Sequence, residues 1–183
     1  MKHPASRAFH ARWQATERQA EKPAEARRGI ASQLVRHRFA VADADGAFVL
    51  HDLGPAVLTL LGEAASGRPF PALFAPESRS AIANLLAIVA DEALPLVAGV
   101  AARRGRRMVA LELTLLPPIG HMAPAPGLGG LLVSLTPGRP ALLGDLALTS
   151  WRHLHPPPAP RILRKVSVAA GVVLYEGVRN APR

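Results

Sequence analysis

The chain has 183 residues, of which 49% are hydrophobic but only 4% aromatic, with no cysteine and a formal net charge of +9. That length suits one domain of ordinary size with tails, around a core of Ala, Leu and Val rather than of rings. The missing cysteines exclude disulfides, thiolate metal sites and cysteine nucleophiles, and fit a reducing cytoplasm, where the protein is expected to reside.

Residues 1–29 read as a basic N-terminal extension, helical or disordered. Phe9, Trp13 and Ala20 form a weak apolar stripe at helical spacing, and Pro23 ends or kinks any helix built on it. Met1–Arg38 carries charge throughout and has no apolar stretch of the secretory-signal kind. No segment of the chain reaches the roughly 18–20 apolar residues needed to cross a bilayer.

Domain-like sequence begins near residue 30. Phe39–Ala44 and Ala47–His51 flank Asp45-Gly46, the strongest short hairpin signal, because both turn positions tolerate positive φ. Pro55–Leu61 reads as a short helix, with Pro55 at its first position and Gly62 at its exit. A loop through Gly67-Arg68-Pro69-Phe70 and one further turn over Pro71–Phe74 follow. Pro76–Glu92 is the clearest helix, because Ile82, Leu85, Leu86 and Val89 fall on one face. Period-two alternation then marks three strands: Leu94–Val100, Val109–Leu115 and Leu131–Leu135. Arg103–Arg107 connects the first two, and Pro117–Gly130, rich in proline and glycine, connects the second and third. Residues 138–183 read as a proline-rich, basic C-terminal segment, in which Arg161–Val173 is a final strand or a partner-binding tail.

This order predicts an α+β domain over residues 30–137: a five-stranded antiparallel sheet, with helices inserted between strands two and three and covering one face. Charge follows the same partition. Residues 1–38 sum to +6, residues 39–150 to −2 and residues 151–183 to +5. The ends are expected either to keep the surface soluble or to meet an anionic partner. No zinc-finger spacing, helix-turn-helix or aromatic stacking platform points to nucleic acid in particular.

The runs Leu58-Thr59-Leu60-Leu61-Gly62, Ser66-Gly67-Arg68-Pro69-Phe70 and Leu73-Phe74-Ala75-Pro76-Glu77-Ser78-Arg79 carry a likeness. So do Val89-Ala90-Asp91-Glu92, Pro95–Val100, Leu111–Pro117 and Leu131–Pro137. In this order and spacing they resemble an alphaproteobacterial PAS domain family over roughly residues 30–155. The resemblance implies signal transduction or protein–protein interaction and no catalytic activity. It supplies no ligand. The expected function is a PAS-like sensory or protein-interaction module without an output domain of its own.

The expected ligand pocket, or core if no ligand is bound, lies between the helices and the inner sheet face. Its residues are Phe39, Leu58, Leu61, Phe70, Leu85, Val89, Leu111, Leu113, Val133 and Leu135. Arg68, Arg103, Arg104, Arg106 and Arg107 are candidate contacts for an anion or partner. No catalytic and no metal-ligating residues are assigned. Asp43 and Asp52 could approach across the hairpin, but two carboxylates without a known separation do not make acid–base chemistry. The seven histidines form no dense ligand motif, and neither predicted central helix holds one to serve a haem, so haem is not expected. A thiol-adduct flavin lacks its cysteine. A protein partner is expected, with homodimerisation through a sheet face or the N-terminal helix as one form of it. The alternatives are a nucleic-acid-associated regulator working through the basic ends and a small-molecule carrier.

Overall fold

In the computed structural model, the described residues are 1–19, 31–44, 47–105, 107–118, 127–136, 142–154, 162–169 and 172–178. Two helices come first, α1 (Pro4–Gln19) and α2 (Ala31–His37). A hairpin follows, β1 (Arg38–Ala44) and β2 (Ala47–His51), and then α3 (Pro55–Leu61), two 3₁₀ turns (Glu63–Ala65 and Phe70–Leu73) and α4 (Pro76–Asp91). The chain then runs through β3 (Leu96–Arg104), β4 (Arg107–Leu116), β5 (Gly127–Ser134) and β6 (Leu146–His153). A second hairpin, β7 (Ile162–Ala169) and β8 (Val172–Val178), forms a separate two-stranded sheet.

The main sheet has six strands in the order β2-β1-β5-β4-β3-β6, antiparallel throughout. The sequence-based expectation of five strands is therefore corrected. The sixth strand comes from residues 146–153, beyond the boundary placed at 137. Prolines on both sides of residues 142–154 disguise a proline-free run long enough to pair with β3. A bulge opposite Gly99/Val100 interrupts its register, so its apolar alternation is not strict. Helices also stand before β1 and not only between the second and third strands. The turn residues Asp45-Gly46 lie outside the described residues, although Ala44 pairs with Ala47 across them.

Local signals explain the helices on the inner face. Pro55 opens α3, and Gly62, at φ 82°, closes it with its N–H on the Leu58 carbonyl. Pro76 and Glu77 open α4, which buries Ser78, Ile82, Leu85, Leu86 and Val89. The loop between the helices is tied to the sheet by its backbone. Leu50 N–H donates to the Arg68 carbonyl at 2.9 Å, and Gly67 N–H donates to the Leu50 carbonyl at 2.8 Å. At the other edge, Ala75 N–H donates to the Leu146 carbonyl at 2.7 Å and the Ser78 hydroxyl accepts from Leu148 N–H at 3.1 Å, locking α4 to β6.

Three of the chain's five phenylalanines meet at the centre. Phe39 of β1 stacks on Phe70 with ring centroids 5.3 Å apart, and Phe74 meets Phe70 edge-on at 5.5 Å. Room for them comes from β5. A Cβ on Gly130 would lie 2.1 Å from the Phe39 ring, so only glycine fits there. This close approach explains why β5 begins at Gly127, four residues earlier than expected. The glycine-rich run belongs to a central strand.

Candidate functional site on the two faces of the sheet

On the inner face, Phe39, Phe70, Leu85, Val89, Leu111 and Leu113 are buried together with Val57, Leu60 and Phe74. Leu61 is partly buried against them. Leu58 is only half-buried and stands outside the cluster, because α3 turns Ala56, Val57 and Leu60 inward instead. Val133 does not join the inner face. It packs with Leu131 and Leu34 on the opposite side, where Ala5 and Phe9 cover it. Leu135 lies just past the end of β5 and borders a depression on that opposite side. Register explains the division: Leu113 pairs with Leu132, while Glu112 pairs with Val133 and Thr114 with Leu131. Alternation in β5 is visible in sequence on both faces, and the expectation placed Val133 and Leu135 on the wrong one.

The candidate contact arginines are spread out. Arg68 is exposed on the loop after α3. Arg103 and Arg104 end β3 and Arg107 begins β4, so the expected connection is shorter than Arg103–Arg107. The side chain of Arg104 and all of Arg106 lie outside the described residues. Asp43 and Asp52 do not face each other. Asp43 is opposite Phe48, whereas Asp52 follows His51, which is opposite Ala40 at the far end of the hairpin. His121 and His155 lie outside the described residues. Among the described residues, no three His, Cys, Asp or Glu side chains gather where they could hold a metal ion. The chain has no cysteine for a thiol-adduct flavin, and α3 and α4 offer no histidine to a haem iron.

The outer face carries the polar chemistry. Helix α1 lies against β4 and β5, and α2 against β5. Glu112, in the middle of β4, is only 4% exposed, yet its carboxylate accepts the backbone N–H of Lys2 and, at 3.1 Å, that of His3. Those two N–H groups lead into the first turn of α1, where a carboxylate is also favoured by the helix dipole. Burial alone would push this carboxyl up. The Lys2 N–H, the nearby Ser6 hydroxyl and the His3 N–H together outweigh burial and hold it below its ordinary value of 4.5. Ser6 Oγ itself, fully buried, lacks a well-aligned hydrogen bond, as does Thr114 Oγ1 on the same face. Further along α1, the buried Trp13 donates its indole N–H to the Pro117 carbonyl at 3.1 Å. His37, at the end of α2, has its pKa lowered by burial; the Leu132 backbone opposes this, and His3 and Arg36 add to it. The His3 and His37 rings lie 6.4 Å apart.

The anchoring residues of this face, Glu112 and Trp13, were not singled out from sequence as site residues. The available signal was a lone acid inside an otherwise apolar strand, which requires a buried partner. Beside them lies a depression of about 400 Å³ bordered by Val97, Gly99, Glu112, Leu135 and the exposed Trp151.

An antiparallel sheet with α3, α4 and the 3₁₀ turns on its inner face and α1 and α2 on its outer face defines a PAS-like α+β domain. The chain belongs to the PAS domain family: a family model described as the PAS domain matches residues 1–133. No curated protein and no solved structure matches the chain. No helix among the described residues is long and apolar enough to cross a membrane.

Proposed function

We propose that this chain is a protein-interaction module of cytoplasmic signal transduction, without catalytic chemistry. The observation that carries this reading is Trp151, 51% exposed on the edge strand β6 beside the depression that Glu112 borders. A half-exposed tryptophan on a sheet edge is the kind of anchor that interfaces bury. The packed aromatic centre of the inner face and the absence of a metal-ligand cluster among the described residues favour contact over chemistry as the means of output. The partner is a protein, and a second copy of the chain is one form it takes. The PAS-like domain is the interacting unit, and the basic ends tune its encounter with partners by charge.

A photo-crosslinking residue in place of Trp151, introduced into the full chain in its host, tests this. The expected result is a discrete covalent adduct to a second copy or to one other protein. The same residue in place of the exposed Ala64, on the 3₁₀ turn after α3, gives none. No adduct at 151, or the same adduct from both positions, would overturn the reading.

A further inference from the structure

We infer that the cavity beneath α1 is a binding site for a small organic anion with a flat apolar body. The cavity, about 420 Å³, lies on the outer face, between α1 and the adjoining ends of β1, β4 and β5. It adjoins the inner core at Phe39 and Leu128, which border both. The site goes beyond the interaction reading and does not depend on it.

Its floor follows from the sheet register. Phe39 and Val41 point into the inner core, so Ala40 faces outward, where it pairs with Gly129. With a methyl on one strand and no side chain on the other, the sheet leaves open space that α1 roofs without filling. A Cβ added to Gly129 would meet Phe9 at 3.6 Å, an ordinary contact, so this glycine leaves room that the backbone does not require. The walls are rings and apolar carbons. Trp13 stands on one side, held by its hydrogen bond to the Pro117 carbonyl, and Phe9 and Leu116 line the rest of an open cleft. The volume falls within the range of small-molecule sites, and a ring plane fixed by a hydrogen bond is suited to stacking against a flat ligand.

The charge on the cavity determines the ligand class. Arg12 and Arg38 border it from two different elements, and none of its described lining residues is acidic. Both arginines are exposed at the residue level. An apolar cleft with two guanidinium groups at its edge selects a carboxylate or sulfonate attached to an aromatic or similarly flat body. A neutral ligand of the same shape would gain the stacking but not the ion pairing.

The test uses the full chain carrying Trp151→Phe, so that Trp13 is its one tryptophan. Two probes share an apolar body: anilinonaphthalene sulfonate, which is anionic, and N-phenylnaphthylamine, which is neutral. The sulfonate is expected to quench Trp13 emission at one-to-one stoichiometry, with the neutral probe weaker by about ten-fold. Replacing both arginines (Arg12→Gln with Arg38→Gln) should bring the sulfonate down to the level of the neutral probe. Gly129→Val should abolish binding of both while keeping a cooperative thermal transition. If Gly129→Val proves unfolded, Gly129→Ala supplies a milder filling, expected to weaken both probes several-fold. Equal affinity for the two probes, an unchanged sulfonate affinity in the double arginine variant, or full binding by a folded Gly129 variant would overturn the site.

Discussion

The two faces of the main sheet are covered by helices in different ways. On the inner face, α3, α4 and the intervening turns meet the sheet through one apolar cluster centred on Phe39, Phe70 and Phe74. On the outer face, α1 and α2 meet it through a small cluster of Leu34, Leu131 and Val133, and through named polar contacts to Glu112 and Pro117. Apolar burial is non-directional and scales with area, so the inner layer should come apart only when the domain does. A layer held by a few directional bonds can open locally at lower cost. The comparison predicts a stable inner layer and a separately releasable outer one.

The largest effect expected is from Phe70→Ala. It removes the ring that touches both Phe39 and Phe74, and should cost about 3–5 kcal/mol in urea unfolding monitored by circular dichroism. A cost below about 1 kcal/mol would mean that the inner layer is not the cohesive one. Gly130→Ala attacks the same layer from β5, because the added Cβ overlaps the Phe39 ring. It should cost about 1–3 kcal/mol, and Phe39→Leu in the same chain should recover part of that by clearing the overlap. Failure of the second change to recover stability would place the strain elsewhere.

The inner layer was largely legible in the sequence and the outer one largely was not, for physical reasons. Pro55, Gly62 and Pro76 mark the ends of α3 and α4 through their own backbone constraints, and the 3.6-residue pattern of Ile82, Leu85, Leu86 and Val89 names the buried face. The PAS likeness rests in part on these same segments. The stripe of Phe9 and Trp13 says that α1 has a side to bury, but sequence does not say against which surface. The inner face of β5 is hard to identify for a related reason. Both of its faces are covered and both carry large apolar residues. Leu128 and Leu132 point inward on either side of Gly130, while Leu131 and Val133 point outward, so alternation alone does not choose between them. The sixth strand was hidden by neighbouring prolines, although the strand itself contains none. The cavity under α1 depends on which residues pair across strands, as Ala40 does with Gly129, and pairing is a tertiary fact.

The outer layer is where a smaller, more selective effect is expected. Glu112→Ala removes the acceptor of the Lys2 and His3 N–H groups and should cost about 1–3 kcal/mol. The loss should be confined to α1: amide exchange over residues 4–19 should speed up at least about ten-fold, while α4 amides keep their protection. Equal acceleration in both helices would erase the distinction between the layers. Acid should act in the same direction. Glu112 has a lowered pKa in the folded chain, so its contribution is present above the ordinary value of 4.5 and is lost as pH falls through the lower folded value. His37 also has a lowered pKa, so the unfolded chain takes up its proton first, and stability falls as pH drops from the ordinary 6.5 towards the folded value. Stability should therefore decline in two stages on acidification, and His37→Gln should remove the upper one.

The smallest effect expected separates backbone from side chain on the inner layer's own loop. Arg68 is exposed, and what it gives the fold is its carbonyl, which accepts the Leu50 N–H at the end of β2. Arg68→Ala keeps that carbonyl and should change stability by less than about 0.5 kcal/mol, as surface substitutions usually do. The same change in a chain engaged with an anionic partner at this loop would lower affinity and weaken its salt dependence, because the guanidinium is the only charged group removed. An Arg68→Ala variant destabilised by more than about 1 kcal/mol would show that the side chain packs on the inner layer, and the loop would then be part of the core's closure rather than a surface on which a partner could act.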